Sequence, residues 1–191
     1  MIGWMLSQKF HACVSLYPEL EVTKGVRFMQ VFLPERDFYD AASVLDQKRL
    51  VKQLLEGRQI MTILVGENKS NAWTNHPAVR MFKDHHAALY IYLAAIRYEM
   101  HLRGYSWQKN WAEIERMMKA NMQPYSLPIW MHDEYTVNSV VTTHRGRLYE
   151  KAPELYPQYR LEYEVYKDYV CCDKCTYHWP THKFMWNEQG V

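Results

Sequence analysis

Apolar side chains recur at intervals of three and four along the middle of the chain, and no stretch sustains a two-residue alternation, so the pattern predicts an all-α fold. Four helices emerge. The first starts near Asp37, an N-capping residue after Pro34, and runs to about Leu64, with Gly57 as its expected break. On it Val44, Leu50, Val51, Leu54 and Leu55 share one arc, and Arg49, Lys52, Gln53 and Glu56 share the other. The second opens at Asn75-His76-Pro77 and closes at Arg103-Gly104, with Leu89, Leu93, Ile96 and Met100 as its buried stripe. The third covers about Trp107 to Asn121, with Trp107, Trp111, Ile114 and Met118 on one side and Pro124 beyond its end. The fourth runs from about Val137 to Lys151 and turns Val137, Val140, Val141 and Leu148 inward, with His144, Arg145, Arg147 and Lys151 largely elsewhere. After Pro153 the chain becomes aromatic and punctuated and reads as a tail wrapping the helices.

Composition narrows this to a compact single-domain helical bundle with an irregular, aromatic-rich C-terminal tail. The 191 residues are 48% hydrophobic and 15% aromatic with only 7 Gly and 8 Pro, which excludes a disordered, collagen-like or disulfide-scaffold chain. A chain of this size buries roughly 70% of its unfolded surface, so no metal or crosslink is required for folding. No apolar run approaches the roughly 20 residues of a membrane span, and the first residues lack the basic stretch of a signal peptide. Cys13, Cys171, Cys172 and Cys175 do not form a secreted disulfide framework, which implies a reducing, cytoplasmic setting.

The mild overall charge of +2 conceals an uneven distribution. Residues 45–119 hold 12 basic and 7 acidic side chains, and the flanks 1–44 and 120–191 are net acidic. A basic block suits a polyanion such as nucleic acid, and equally a solvated helix face.

Four groups of residues have the types that could carry chemistry. Arg49, Lys52, Gln53 and Glu56 present a carboxylate flanked by cations and an amide, or else two i,i+4 pairs on an exposed helix. Asn75-His76-Pro77 is either a capped helix start or a phosphate contact at a helix N-terminus. His85 and His86, adjacent on a helix, point about 100° apart and suit solvated positions better than a metal. Cys172, Cys175, His178 and His182 have the ligand types of a structural zinc site, although the gap between the Cys pair and the first His is shorter than in a zinc finger; the other reading is a tail with incidental thiols.

Taken in order, FLPERDF, LDQKRLVKQLLEGRQI, NHPAVRMF, HLRG and THRGRLYEKAPELY resemble the pyrimidine dimer DNA glycosylase family, over about Met29 to Tyr159. A fainter similarity reaches Tyr177-His178-Trp179-Pro180. The resemblance implies an all-α DNA repair enzyme, bacterial or phage-borne, that excises one base of a cyclobutane pyrimidine dimer and then cleaves the strand as an abasic-site lyase. It implies a free N-terminal α-amine that attacks the deoxyribose anomeric carbon to form an imine, helped by a helix glutamate. An α-amine has an ordinary pKa near 8, which leaves a neutral, nucleophilic fraction at physiological pH. Glu56 matches that glutamate, and Arg49 and Lys52 are expected to hold it ionised. Gln53, His76, Arg80, Lys83, Arg103, Arg145, Arg147 and Lys151, with Arg49 and Lys52, are the implied contacts to a kinked double-stranded DNA from which a base has been flipped. The implied chemistry needs no cofactor, and the implied state is a monomer. The alternative is a non-catalytic DNA-binding protein that keeps the fold.

The chain departs from the family at its front, because the matching segment Met29-Gln30-Val31-Phe32 follows a 28-residue extension. The expected organisation is therefore an N-terminal extension over 1–28, a helical domain over 29–160 and a Cys/His-bearing tail over 161–191. Lys24-Gly25-Val26 can be encoded by a ribosome-binding sequence upstream of an AUG at Met29, so the expected start is Met29. Gln30 is a large second residue, so Met29 stays in place and supplies the catalytic amine; Lys48 and Lys52 are the side-chain alternatives.

Overall fold

The computed structural model describes residues 29–70, 73–167 and 178–180. These residues form seven α-helices and two 3₁₀ turns, with no strand among them. The helices are α1 (Phe38–Ser43), α2 (Gln47–Leu64), α3 (Pro77–Arg80), α4 (His86–Leu102), α5 (Gln108–Ala120), α6 (Glu134–Lys151) and α7 (Arg160–Tyr166). The all-α reading stands, and two of the long helices are divided.

The first is divided at Val44–Asp46, ahead of the expected Gly57. Asp37 caps α1 through the Tyr39 and Asp40 N–H groups, and Asp46 opens α2 by accepting from the Arg49 N–H at 3.2 Å. Gly57 lies mid-helix because α4 comes too close for a side chain: a Cβ there would stand 2.2 Å from Leu93 Cδ2. The second is divided at 81–85, where Asp84 takes a left-handed φ of 62°. Gln123 holds that corner, donating to the Asp84 carbonyl at 2.6 Å and accepting from the Ala87 N–H at 3.2 Å.

The core lies where α4 packs against α1 and α2, with α5 packed on α2 and touching α4. Leu50, Leu54, Ile60 and Met61 of α2 meet the predicted α4 stripe of Leu89, Leu93, Ile96 and Met100, all fully or almost fully buried. α6 packs on α7, and Gly146 lets them touch: a Cβ there would meet Tyr163 Cα at 3.2 Å and Tyr166 Cδ1 at 2.8 Å. α6 is buried over more of its surface than its pattern predicts, because Thr136, Thr143 and His144 point inward beside its valines.

Between α2 and α6 runs the extended segment Met29–Leu33, buried throughout. Four of its five side chains are apolar, and its backbone polar groups must find partners without a sheet. Those partners are side chains, and they build the site.

Candidate active site

The α2 face that carries Gln53 and Glu56 turns toward this segment. The Gln53 side-chain amide donates from Nε2 to the Gln30 carbonyl at 3.1 Å, and its Oε1 accepts from the Phe32 N–H at 2.9 Å. Glu56, one turn on, accepts from the Gln30 N–H at 3.1 Å through Oε2. The Gln30 residue is thus held at both its N–H and its carbonyl by two α2 side chains. From α4, the fully buried Tyr92 hydroxyl lies 2.8 Å from Gln53 Oε1 and 3.0 Å from the Phe32 carbonyl oxygen. From α6, His144 Nδ1 accepts from the Leu33 N–H at 2.8 Å. Burial, reinforced by the nearby His178, pushes the His144 pKa down to about 3, which keeps that nitrogen an acceptor.

Glu56 is buried, and its other oxygen meets Lys52 Nζ at 3.3 Å. The basic neighbours favour its ionised form, as expected, but they do not set the direction of its pKa. Burial raises its pKa above the ordinary glutamate value, outweighing the opposing pull of Lys52, the Gln30 N–H and Lys151. On the α6 side, burial lowers the Lys151 pKa, and the like charges of Arg147, Lys52 and Arg49 lower it further. Lys52 and Lys151 therefore share the neighbourhood of the buried carboxyl, with Arg49 and Arg147 close to Lys151.

Arg49 is fixed within that group. Its Nη1 lies 2.5 Å from Asp46 Oδ2, and its guanidinium sits over the Tyr156 ring, 5.5 Å from the centroid. Tyr156 donates to the same Asp46 oxygen at 2.6 Å and accepts from the Asp46 N–H at 2.8 Å. Burial pushes the Asp46 carboxyl up, but the bonds from Tyr156 and Arg49 prevail and leave it below the ordinary aspartate value. Arg147 pairs with Glu150 on the same helix.

The remaining expected DNA contacts divide into two sets. Gln53, Arg103 and Arg145 turn toward the protein itself. Arg103 donates to the carbonyls of Leu45 and Ser43, each at 2.6 Å, which joins the end of α4 to the α1–α2 corner. Arg145 donates to the Pro34 carbonyl at 2.7 Å and grips both oxygens of Glu35 at 2.6 Å. Their charge reflects a structural role that sequence alone cannot separate from a ligand contact. His76, Arg80 and Lys83 lie around α3, where Lys83 is exposed. His76, not Asn75, caps α3 by accepting from the Ala78 N–H at 3.2 Å. Its ring stands against those of Trp73 and Trp179, with centroids at 5.3 and 5.9 Å, and burial lowers its pKa to about 4. A neutral His76 offers a ligand a hydrogen bond and no charge.

Of the cysteine and histidine set, Cys172, Cys175 and His182 lie outside the described residues. His178 is buried against α6, its N–H donating to Thr143 Oγ1 at 3.1 Å. His85 Nδ1 lies 3.0 Å from Ser126 Oγ, and His86 Nε2 lies 2.7 Å from the Asn121 carbonyl oxygen, so both stitch α4 to the 121–126 loop. Among the described residues no three potential metal ligands come together, and no helix is long and apolar enough to cross a membrane.

Sequence reasoning missed Asp46, Tyr92, His144 and Tyr156. His144 carried a usable signal, since it follows the buried Val140 by four residues and shares its helix face. Tyr92 sits beside Leu93 in the predicted stripe, but nothing local announces that its hydroxyl has a partner 60 residues away.

Residues 29–113 match the family model described as pyrimidine dimer DNA glycosylase. The match begins at the first residue of the buried segment and takes in the α2 site. It covers the first four motifs of the resemblance and ends before THRGRLYEKAPELY. No curated protein and no solved structure matches the chain.

Proposed function

We propose that this protein is a DNA repair glycosylase with abasic-site lyase activity on cyclobutane pyrimidine dimers in duplex DNA, using the α-amine of Met29 and the carboxyl of Glu56. The observation that carries this reading is the 3.1 Å bond from the Gln30 N–H to Glu56. The nitrogen of Met29 is three covalent bonds from that of Gln30, so it lies within about 4 Å of it. In a chain that begins at Met29, that nitrogen is an amine beside a buried carboxyl.

The chemistry follows from this juxtaposition. The neutral amine forms a bond to C1′ as the C1′–N1 bond breaks, and the electron pair leaves with the pyrimidine. Glu56 takes the proton released by the nitrogen and passes it toward the departing base. The C1′–O4′ bond then opens, O4′ takes a proton, and the nitrogen forms a cationic imine that the Glu56 carboxylate stabilises. Removal of a C2′ proton expels the 3′ phosphate, and water releases the enzyme from the imine. Arg49, Lys52, Arg147 and Lys151 supply positive charge for the flanking phosphates, and His76, Arg80 and Lys83 extend the contact along the duplex.

A second reading, a DNA-binding protein without chemistry, is favoured by one fact: in the 191-residue chain the nitrogen of Met29 is an amide. One experiment separates the two. The chain starting at Met29, the full chain and the Glu56→Gln variant are each incubated with a dimer-containing duplex and borohydride. The first reading expects a covalent adduct from the Met29-start protein alone, with its mass mapped to residue 29. Salt-sensitive duplex binding that survives Glu56→Gln, with no adduct or strand scission from any of the three, establishes the second reading and overturns the first.

A further inference from the structure

We infer that Gln53, steadied by Tyr92, is a positioning residue that sets the register of residues 29–32 and so holds the residue 29 nitrogen at Glu56. This rests on the reading of Met29 and Glu56 as the reacting pair, and neither Gln53 nor Tyr92 touches the DNA in it.

Among the described residues, segment 29–33 has no neighbouring strand to fix where it lies along α2. Its side chains alone allow slippage, because one apolar residue replaces another in the same groove. A slip of a single residue moves the chain by about 3.3 Å, enough to carry the residue 29 nitrogen out of hydrogen-bond reach of Glu56. Gln53 removes that freedom. Its donor and acceptor engage the Gln30 carbonyl and the Phe32 N–H, the two groups that flank residue 31, as a partner strand would. A primary amide offers both functions from one side-chain end, on two separate atoms that can engage two backbone groups at once. Gln53 and Glu56 are three residues apart on α2, so the clamp and the carboxyl share one rigid helix face and grip the same residue, Gln30.

Tyr92 completes the device. The Gln30 carbonyl and the Phe32 N–H fix which end of the amide faces which group. The Tyr92 hydroxyl lies 2.8 Å from Gln53 Oε1 and 3.0 Å from the Phe32 carbonyl, so it ties the amide to the segment that the amide holds. Tyr92 is fully buried, and burial raises its pKa, so it stays protonated and able to donate.

Gln53→Met keeps the shape and removes both polar functions; Tyr92→Phe removes the hydroxyl alone. In the full chain, the Glu56 carboxyl is titrated by carbon NMR and the exchange of the Phe32 amide proton is followed. Loosening the clamp weakens the Gln30 N–H bond that pulls the Glu56 pKa down, so in Gln53→Met the Glu56 titration moves to higher pH and Phe32 exchanges at least about tenfold faster. Tyr92→Phe shows the same changes, smaller. In the Met29-start protein, borohydride trapping slows about tenfold or more in Gln53→Met, with duplex affinity within about twofold of the parent. The acidic limb of its rate profile follows Glu56 upward, a change that simple loss of stability does not produce. An unmoved Glu56 titration in both variants overturns the clamp, as does trapping at the parental rate in Gln53→Met. If the titration moves but the parent itself forms no adduct, the clamp stands as a structural device while its role in catalysis falls with the proposed chemistry.

Discussion

Glu56 combines two properties that conflict in an ordinary surface residue: it is buried, and it is a carboxyl. Its folded-state pKa is raised by burial, so any stability linked to its proton is fully present below the unfolded glutamate value and is lost as pH rises through the folded value. At neutral pH the ionised group weighs against folding. Glu56→Gln keeps an acceptor for the Gln30 N–H and removes the charge. We expect its melting temperature at pH 7.5 to equal or exceed the parent's, with the difference closing below about pH 4, while strand scission falls by at least about 100-fold. Thermal scans at the two pH values, with gel assays of scission, check both halves. His144 has the opposite linkage. Its pKa is lowered to about 3, so its contribution is present above the unfolded histidine value near 6.5 and is lost as pH falls toward 3. Denaturant titrations from pH 7 to pH 4 are expected to lose up to about 1.4 kcal/mol per pH unit to this group, with a shallower dependence in His144→Asn. His76, lowered to about 4, adds to the same slope and persists in that variant.

The helices show how far local pattern carries and where it stops. Stripes such as Leu89, Leu93, Ile96 and Met100 are legible because a repeat of three and four puts them on one face whatever lies opposite. The interruptions at Val44–Asp46 and at Asp84 escaped the pattern, since the apolar spacing runs on across both and the side chains that stabilise the corners, Tyr156 and Gln123, come from distant parts of the chain. The Glu56 site was half legible in the same way. A carboxyl with cations on one helix face is visible in sequence, whereas the turn of that face toward Met29–Leu33, and with it the burial that reverses the expected pKa shift, depends on tertiary contacts. Gly57 is an instructive error, because a glycine inside a helical pattern reads as a break when nothing shows what packs against it. Gly57→Ala ordinarily gains up to about 1 kcal/mol of helix propensity. Here the added Cβ meets Leu93 Cδ2 at 2.2 Å in a fully packed interior, so we expect a net loss of about 1–2 kcal/mol. A double-mutant cycle with Leu93→Ala checks the mechanism: with the leucine removed, Gly57→Ala should become neutral or favourable.

At the scale of the whole molecule, five of the cations expected to meet DNA, two from residues 45–119 and three from α6, divide by what each one holds. Arg103 and Arg145 are bound to backbone carbonyls and acidic groups of their own chain and join parts of the fold far apart in sequence. Lys52 and Lys151 are exposed beside the Glu56 site, and Arg147 has only a local pair with Glu150 to give up to a phosphate. Net charge counts all five alike, but duplex binding should not. Each cation that neutralises a phosphate releases condensed counterions, so the logarithm of the binding constant falls against the logarithm of salt concentration by about 0.9 per contact on duplex DNA. Lys151→Gln and Arg147→Gln are therefore expected to flatten the salt dependence by about one contact each while leaving the melting temperature nearly unchanged. Arg103→Gln and Arg145→Gln should do the reverse, lowering stability by about 1–3 kcal/mol through the buried partners they abandon, with an unaltered salt slope. Fluorescence titrations of a labelled duplex across a salt series, beside thermal melts of the same four variants, measure both quantities. If Arg103→Gln flattens the slope while Lys151→Gln leaves it intact, the DNA lies at the α1–α2 corner that Arg103 holds and not beside Glu56, and the site argued from Met29 and Glu56 loses its substrate.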